Sequence, residues 1–169
     1  GTWALDGGVI NQQAIHHVDV MNWLMGPVEE LCSSAGNRLN KLEAEDTLVR
    51  ILKFNNGAFG TIEATTAARP IDYEASLSVV GEKGYAVIGG VALNNIEKWN
   101  FVEPISEDEN APLRYSVDVP SGYGLSHETL INRTLETIQK KEFCSPVELD
   151  SCISTCELIH ALYLSLIHI

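Results

Sequence analysis

The sequence predicts an α+β fold, an open and mostly antiparallel sheet with helices packed on one face. Three observations lead there. Residues 12–25 repeat apolar side chains at helical spacing. A long middle stretch alternates with period two and is punctuated by tight-turn signals. Two further helical segments close the chain. At 169 residues and 45 % apolar content the chain has the length of one domain, 1–169, and can bury a sizeable core.

In the first helix Ala14, Val18, Met21 and Met25 form the stripe, and Ile15 and Leu24 widen it. Asn11 is the expected N-cap and Gly26-Pro27 the stop. The first half of this helix is unusually polar, with Gln12, Gln13, His16, His17 and Asp19. "VEELCSSAGNR" then leads into "DTLVRILKF", where Leu48, Arg50 and Leu52 alternate against Val49, Ile51 and Lys53. "NNG" (Asn55 to Gly57) signals a hairpin turn before "AFGTIEATTAA". "YEASLSVVG" puts Tyr73, Ala75, Leu77 and Val79 on one face. "EKG" turns the chain again into "YAVIGG", and "ALNNIEKWNF" follows. One sheet face is expected to pack helices, while the other is semi-polar and suits water or a partner subunit. "EPISEDENAP" (Glu103 to Pro112) reads as a solvated acidic loop. From His127 to Glu142 an amphipathic helix should turn Leu130, Ile131, Leu135 and Ile138 inward. The last helix should begin near Asp150, with Asp150 or Ser151 as N-cap and His160 on its apolar stripe. The closing "SLIHI" lacks a polar fall-off and reads as foreign to the domain.

Bulk properties exclude several function classes. A net charge of −12, from 23 acidic and 11 basic residues, argues against nucleic acid, which requires clustered Lys and Arg. No run of apolar residues is long enough for a membrane span, and no signal peptide is visible, so a cytoplasmic location is expected. Cys32, Cys144, Cys152 and Cys156 form no CxxC pair and are expected to be small buried residues or plain thiols, with no metal. No glycine-rich strand-to-helix turn is present to cradle a nucleotide phosphate. The chain starts without methionine and already inside patterned sequence, which predicts a piece of something longer.

The opening "GTWALDGGVINQQAIHHVDVMNWLMGPVEEL" resembles the start of the C-terminal domain of the Gfo/Idh/MocA family of nicotinamide-dependent sugar oxidoreductases. The family's paired glycines, acidic or amide residue, histidine and Asp fall on Gly7-Gly8, Gln12, His16 and Asp19. "NNGAFGTIEATTA", "SLSVVGEKGYAVIGG" and the two closing helices also fit, so the resemblance covers nearly the whole chain. Within the family, "RPIDYEASLSVVGEKGYAVIGGVALNNIEKWNF" and "GYGLSHE" look most like enzymes that oxidise the 3-hydroxyl of UDP-N-acetylglucosaminuronic acid for polysaccharide biosynthesis.

The resemblance implies a glyceraldehyde-3-phosphate dehydrogenase-like C-terminal domain that supplies substrate binding and oligomerisation through its exposed sheet face. A separate N-terminal Rossmann domain, absent from this chain, would bind NAD or NADP and supply a catalytic Lys. No cofactor is therefore expected on this chain, and no turnover by it alone. His16 would be the catalytic proton acceptor from a secondary hydroxyl of a sugar or UDP-sugar. Gln12, one helical turn earlier and where many members have Asp, would hydrogen-bond the sugar through its oxygen and its nitrogen. Asp19, Trp3, Arg69, Tyr123 and His127 complete the expected substrate contacts, with Arg69 suited to a carboxylate or diphosphate.

The residue types also admit plainer readings. His16 and His17 can be structural, Gln12 and Gln13 ordinary first-turn residues, and Asp19 tied to a backbone amide or a strand. Trp3 and Tyr123 can be packing anchors, Arg69 the partner of a surface acid, and His127 a cap. The corresponding whole-protein alternative is a non-catalytic oligomerisation or binding module of the same fold.

Overall fold

The computed structural model describes residues 1–71, 73–141, 147 and 149–165. The chain divides into two compact units, Gly1–Asp72 with Glu148–Ile169, and Tyr73–Val147.

In the first unit, α1 (Val9–Gln12) and α2 (Ile15–Met25) precede the strands β1 (Val28–Gly36), β2 (Thr47–Phe54) and β3 (Phe59–Thr65). The strands form one antiparallel sheet in the order β1-β2-β3. Gly57, at φ +86°, closes the β2–β3 hairpin, where its amide donates to the Phe54 carbonyl. The predicted alternation holds: Leu48, Arg50, Leu52 and Phe54 are buried, while Val49 and Ile51 are exposed. Cross-strand pairing extends the inner face to Ser33 and Ile62 beside Arg50. The helices cover this inner face, with α1 against β2 and β3, the closing helix against β1, and α2 along the closing helix. The buried apolar set of Val9, Ile10, Val18, Met21, Leu48, Leu52, Phe54, Leu158, Ile159 and Leu162 is therefore drawn from α1, α2, β2 and the closing helix.

The second unit begins with β4 (Leu77–Gly81), β5 (Gly84–Gly89) and β6 (Asn95–Phe101), an antiparallel sheet in chain order. A 3-10 turn, Asp108–Asn110, and α3 (Ala111–Tyr115) follow, with α3 against β6. Next is α4 (Ser126–Lys140), and α5 (Leu149–Leu164) returns to the first unit. The fold is thus α+β with antiparallel strands, and the meander is shared between two three-stranded sheets.

Several local expectations are corrected. The predicted helix 12–25 is interrupted at Gln13 and Ala14, whose amides both donate to the Val9 carbonyl. The two pieces follow different neighbours. Val9 N–H binds the Glu45 carbonyl and Ile10 N–H the Glu45 carboxylate, whereas Asn22 on α2 binds Ser154 of α5. Asn11 is not an N-cap, because its amide donates to the Asp6 carbonyl. Tyr73 and Ala75 precede β4 and are exposed. The acidic segment is built structure: Asp108 accepts from the Trp99 indole at 2.8 Å and from Ile105 N–H at 2.7 Å. Leu130, Ile131, Leu135 and Ile138 are exposed on α4, so that amphipathic stripe has no cover among the described residues. Asp150 and Ser151 lie inside α5, and His160 is exposed. Cys32, Cys152 and Cys156 are exposed free thiols, whereas Cys144 lies outside the described residues. Of "SLIHI", only Ser165 is described. No helix among the described residues is long and apolar enough to cross a membrane.

Candidate functional site

The polar residues of the opening segment are organised by the turn that precedes the glycines. The amides of Leu5, Asp6 and Gly7 all donate to the Thr2 carbonyl and curl residues 2–7 back on themselves. This brings the Asp6 carboxylate onto Thr2, whose amide and hydroxyl donate to it at 2.6 and 3.0 Å. The Thr2 amide and hydroxyl pull the Asp6 pKa down to about 2 against a smaller effect of burial, and Gln12 adds to them.

Gln12 is exposed at the end of α1 and donates from Nε2 to Asp6 Oδ2 at 2.7 Å and to the Asp6 carbonyl at 3.4 Å. Its nitrogen is therefore occupied, and its carbonyl oxygen is the group left open. His16 is exposed near the start of α2. Because α1 and α2 are separate, one continuous helical turn does not relate Gln12 to His16. His17 is half-buried, and its Nε2 is buried with no hydrogen-bond partner among the described residues. Burial, helped by His16, pushes the His17 imidazole pKa down. Asp19 is exposed, and its Oδ1 accepts from the buried Thr155 hydroxyl of α5 at 2.5 Å. It ties two helices together, neither of the contacts expected for its structural role.

Behind these groups lies a buried polar clamp that the sequence pattern did not reveal. Glu45 is 3 % exposed and accepts Ile10 N–H at 3.2 Å and the Tyr163 hydroxyl at 3.3 Å. Tyr163 in turn accepts Gly8 N–H at 2.9 Å. Burial raises the Tyr163 pKa, so the phenol stays protonated and can serve both neighbours. Trp3 stands edge-on to Tyr163, with ring centroids 5.4 Å apart, and is half exposed. The paired glycines now have a physical reason. Gly7 has φ +65°, and a Cβ on Gly8 would lie 2.1 Å from the Glu45 carboxylate.

The residue just before β2, next to Glu45, is a second buried carboxylate. Asp46, fully buried, accepts backbone N–H groups from Arg38, Leu39 and Asn40 at 2.8, 3.0 and 2.7 Å, and the Thr47 hydroxyl at 2.9 Å. Burial raises its pKa, but these donors outweigh that and hold it at about 2. Asn40, fixed in this way, bonds Thr66 and accepts from Arg69 at 3.2 Å. Arg69 also donates to the Thr66 and Ala68 carbonyls. An exposed guanidinium is thus held by neutral acceptors, with no carboxylate in ion-pair range among the described residues. Tyr123 and His127 belong to the second unit, where His127 Nδ1 lies 3.1 Å from the Tyr123 carbonyl and the rings meet edge-on.

The GFO/IDH/MocA C-terminal domain family model matches residues 1–87, and the chain belongs to that family. The WlbA dehydrogenase from Bordetella pertussis, solved in complex with NADH and UDP-GlcNAcA, is 33 % identical with a TM-score of 0.85, over 98 % of this chain and 47 % of that one. The Chromobacterium violaceum WlbA dehydrogenase, with the same ligands, is also 33 % identical, with a TM-score of 0.84 over 98 % and 45 % of the two chains. Levoglucosan dehydrogenase, in complex with NADH and levoglucosan, shares the fold at 19 % identity and a TM-score of 0.64, over 94 % and 48 %. The chain therefore spans about half the length of these proteins. No curated protein matches it significantly.

Proposed function

We propose that the chain is the substrate domain of an NAD(P)-dependent dehydrogenase that oxidises a secondary hydroxyl of a sugar or UDP-sugar. The observation that carries this reading is the 33 % identity, over 98 % of the chain, to a dehydrogenase in complex with NADH and UDP-GlcNAcA. The exposed His16 is consistent with it.

Oxidation of the carbinol removes a hydride from carbon and a proton from oxygen. The nicotinamide takes the hydride. The described strands are all antiparallel, without the parallel crossover and glycine-rich turn that cradle a dinucleotide, so no residue here is assigned to the cofactor. In the full-length protein the cofactor would be held outside this chain. A neutral imidazole is suited to accept the hydroxyl proton, and that is the role of His16. Gln12 holds a sugar hydroxyl. Arg69, oriented by Asn40, takes an anionic group, carboxylate or diphosphate. Trp3 offers an exposed aromatic face to a ring. Asp19 acts through the helix pairing.

The outer face of the β1-β2-β3 sheet is the proposed contact with a second copy of the chain. Val49, Ile51 and Phe59 are 46, 57 and 75 % exposed there, among Ser, Thr and Glu neighbours.

The test uses the full-length protein with NAD and NADP against neutral sugars, uronic acids and UDP-sugars. Cofactor reduction that His16→Ala lowers by at least two orders of magnitude supports the reading. Full activity in His16→Ala removes the catalytic assignment. No reduction with any sugar favours instead the non-catalytic binding module.

A further inference from the structure

The contact between Gln12 and Asp6 restricts the sugar site more than either residue does alone. An amide's oxygen and nitrogen are told apart by their partners. Here the partner decides. An ionised carboxylate only accepts, and Asp6 presents Oδ2 at 2.7 Å and its own carbonyl at 3.4 Å, both acceptors. The group facing them must be the NH2 of Gln12. Among the described residues Oε1 of Gln12 has no partner, and the side chain is exposed. Asp6 is itself held rigidly, by the Thr2 amide and hydroxyl and by the 2–7 turn.

We propose that Asp6 is a positioning residue of the sugar site, locking the Gln12 carboxamide so that only its oxygen meets substrate. The bound sugar then presents a hydroxyl as donor at this point. An ether, fluoro or deoxy group there finds no partner. This inference rests on the reading of the opening segment as the sugar site, and it adds which end of the amide is used and what enforces it. It also gives a physical role to an amide where many members of the family carry an acid. Two carboxylates facing each other at this distance would repel, whereas an amide bridges Asp6 and a hydroxyl without a proton being shared.

The test is a reciprocal exchange in the full-length protein. Asp6→Asn keeps an acceptor oxygen for Thr2 but lets the Gln12 amide take either orientation. KM for the sugar should rise about tenfold, with kcat and the cofactor KM changing much less. Gln12→Glu sets two carboxylates against each other and should be at least as damaging. The double variant D6N/Q12E reverses the pair, with the new amide at position 6 donating to the new carboxylate at position 12 and the other oxygen of that carboxylate left as the acceptor toward substrate, and KM should return to within about threefold of the parent. A purely structural role for Asp6 gives no such recovery. An unchanged KM in Asp6→Asn, or a double variant no better than the worse single one, overturns the proposal. Should Asp6→Asn unfold, Gln12→Lys takes its place. Lysine donates to Asp6 but offers the sugar no acceptor, so its KM must match that of Gln12→Leu, and a parental KM refutes the assignment. A parent enzyme that turns over no sugar brings down the underlying reading as well, whereas activity that depends on His16 but not on Asp6 removes only this inference.

Discussion

Gly8→Ala is the perturbation whose cost the geometry defines best. A Cβ at position 8 falls 2.1 Å from the Glu45 carboxylate carbon and one of its oxygens, well inside any real contact. The far end of a glutamate is ordinarily free to move, but this one is 3 % exposed and holds Ile10 N–H and the Tyr163 hydroxyl. Relieving the clash therefore costs packing strain of about 1–3 kcal/mol. It also weakens hydrogen bonds to a charged partner that are worth about 1.5–3 kcal/mol each when lost outright. Partial relaxation places the expected loss at about 3 kcal/mol. The assay is urea unfolding followed by circular dichroism, with the slope m unchanged. The same substitution in a Glu45→Ser background should cost about 1 kcal/mol, because the clashing atoms are gone. Equal costs in the two backgrounds would refute the steric argument and leave only Gly7, at φ +65°, with a structural reason to be glycine.

Four further outcomes follow from the same structure. Asp46 has its pKa depressed from 3.8 to about 2, so its stabilising effect is complete above the unfolded value and is lost as pH falls from about 4 to 2; Asp46→Asn should flatten the acid limb of a pH–stability curve. His17 has a lowered pKa, so stability should decline as pH falls below the unfolded value of 6.5, and His17→Gln should remove that slope; a resolved His17 proton titrating above 6.5 would contradict it. Asp19→Ala and Thr155→Val should each destabilise by about 1 kcal/mol, and the pair together by less than the sum, since they share one hydrogen bond. Ile51→Asp, on the open sheet face, should dissociate a dimer in sedimentation while leaving circular dichroism intact; an unchanged mass refutes that face as the contact.

Period and punctuation carried much of the fold. The alternation from Leu48 to Lys53, the Gly57 turn and the Gly26-Pro27 stop are local signals, and each reappears in the fold. The interruption at Gln13 and Ala14 was not legible, because nothing in that helical spacing announces that Glu45, some 35 residues on, will anchor Ile10. The stripe on α4 shows the reverse failure. Leu130, Ile131, Leu135 and Ile138 have the spacing of a buried face yet stand exposed, because amphipathicity records that a helix has a partner without saying where it lies.

The candidate site divides along the same line. The family resemblance singled out Gln12 and His16, and residue chemistry agrees, since an imidazole and an amide are suited to alcohol chemistry. Which end of Gln12 is free, what orients Arg69, and why two glycines must precede α1 depend on Asp6, Asn40, Glu45 and Tyr163. Several of these contacts join residues dozens to more than a hundred positions apart, and hydrogen bonds of that kind come into being only when the chain is folded. Local sequence can specify the donor or acceptor that a residue carries. Only the tertiary arrangement decides which partner consumes it and which atom is left for a substrate.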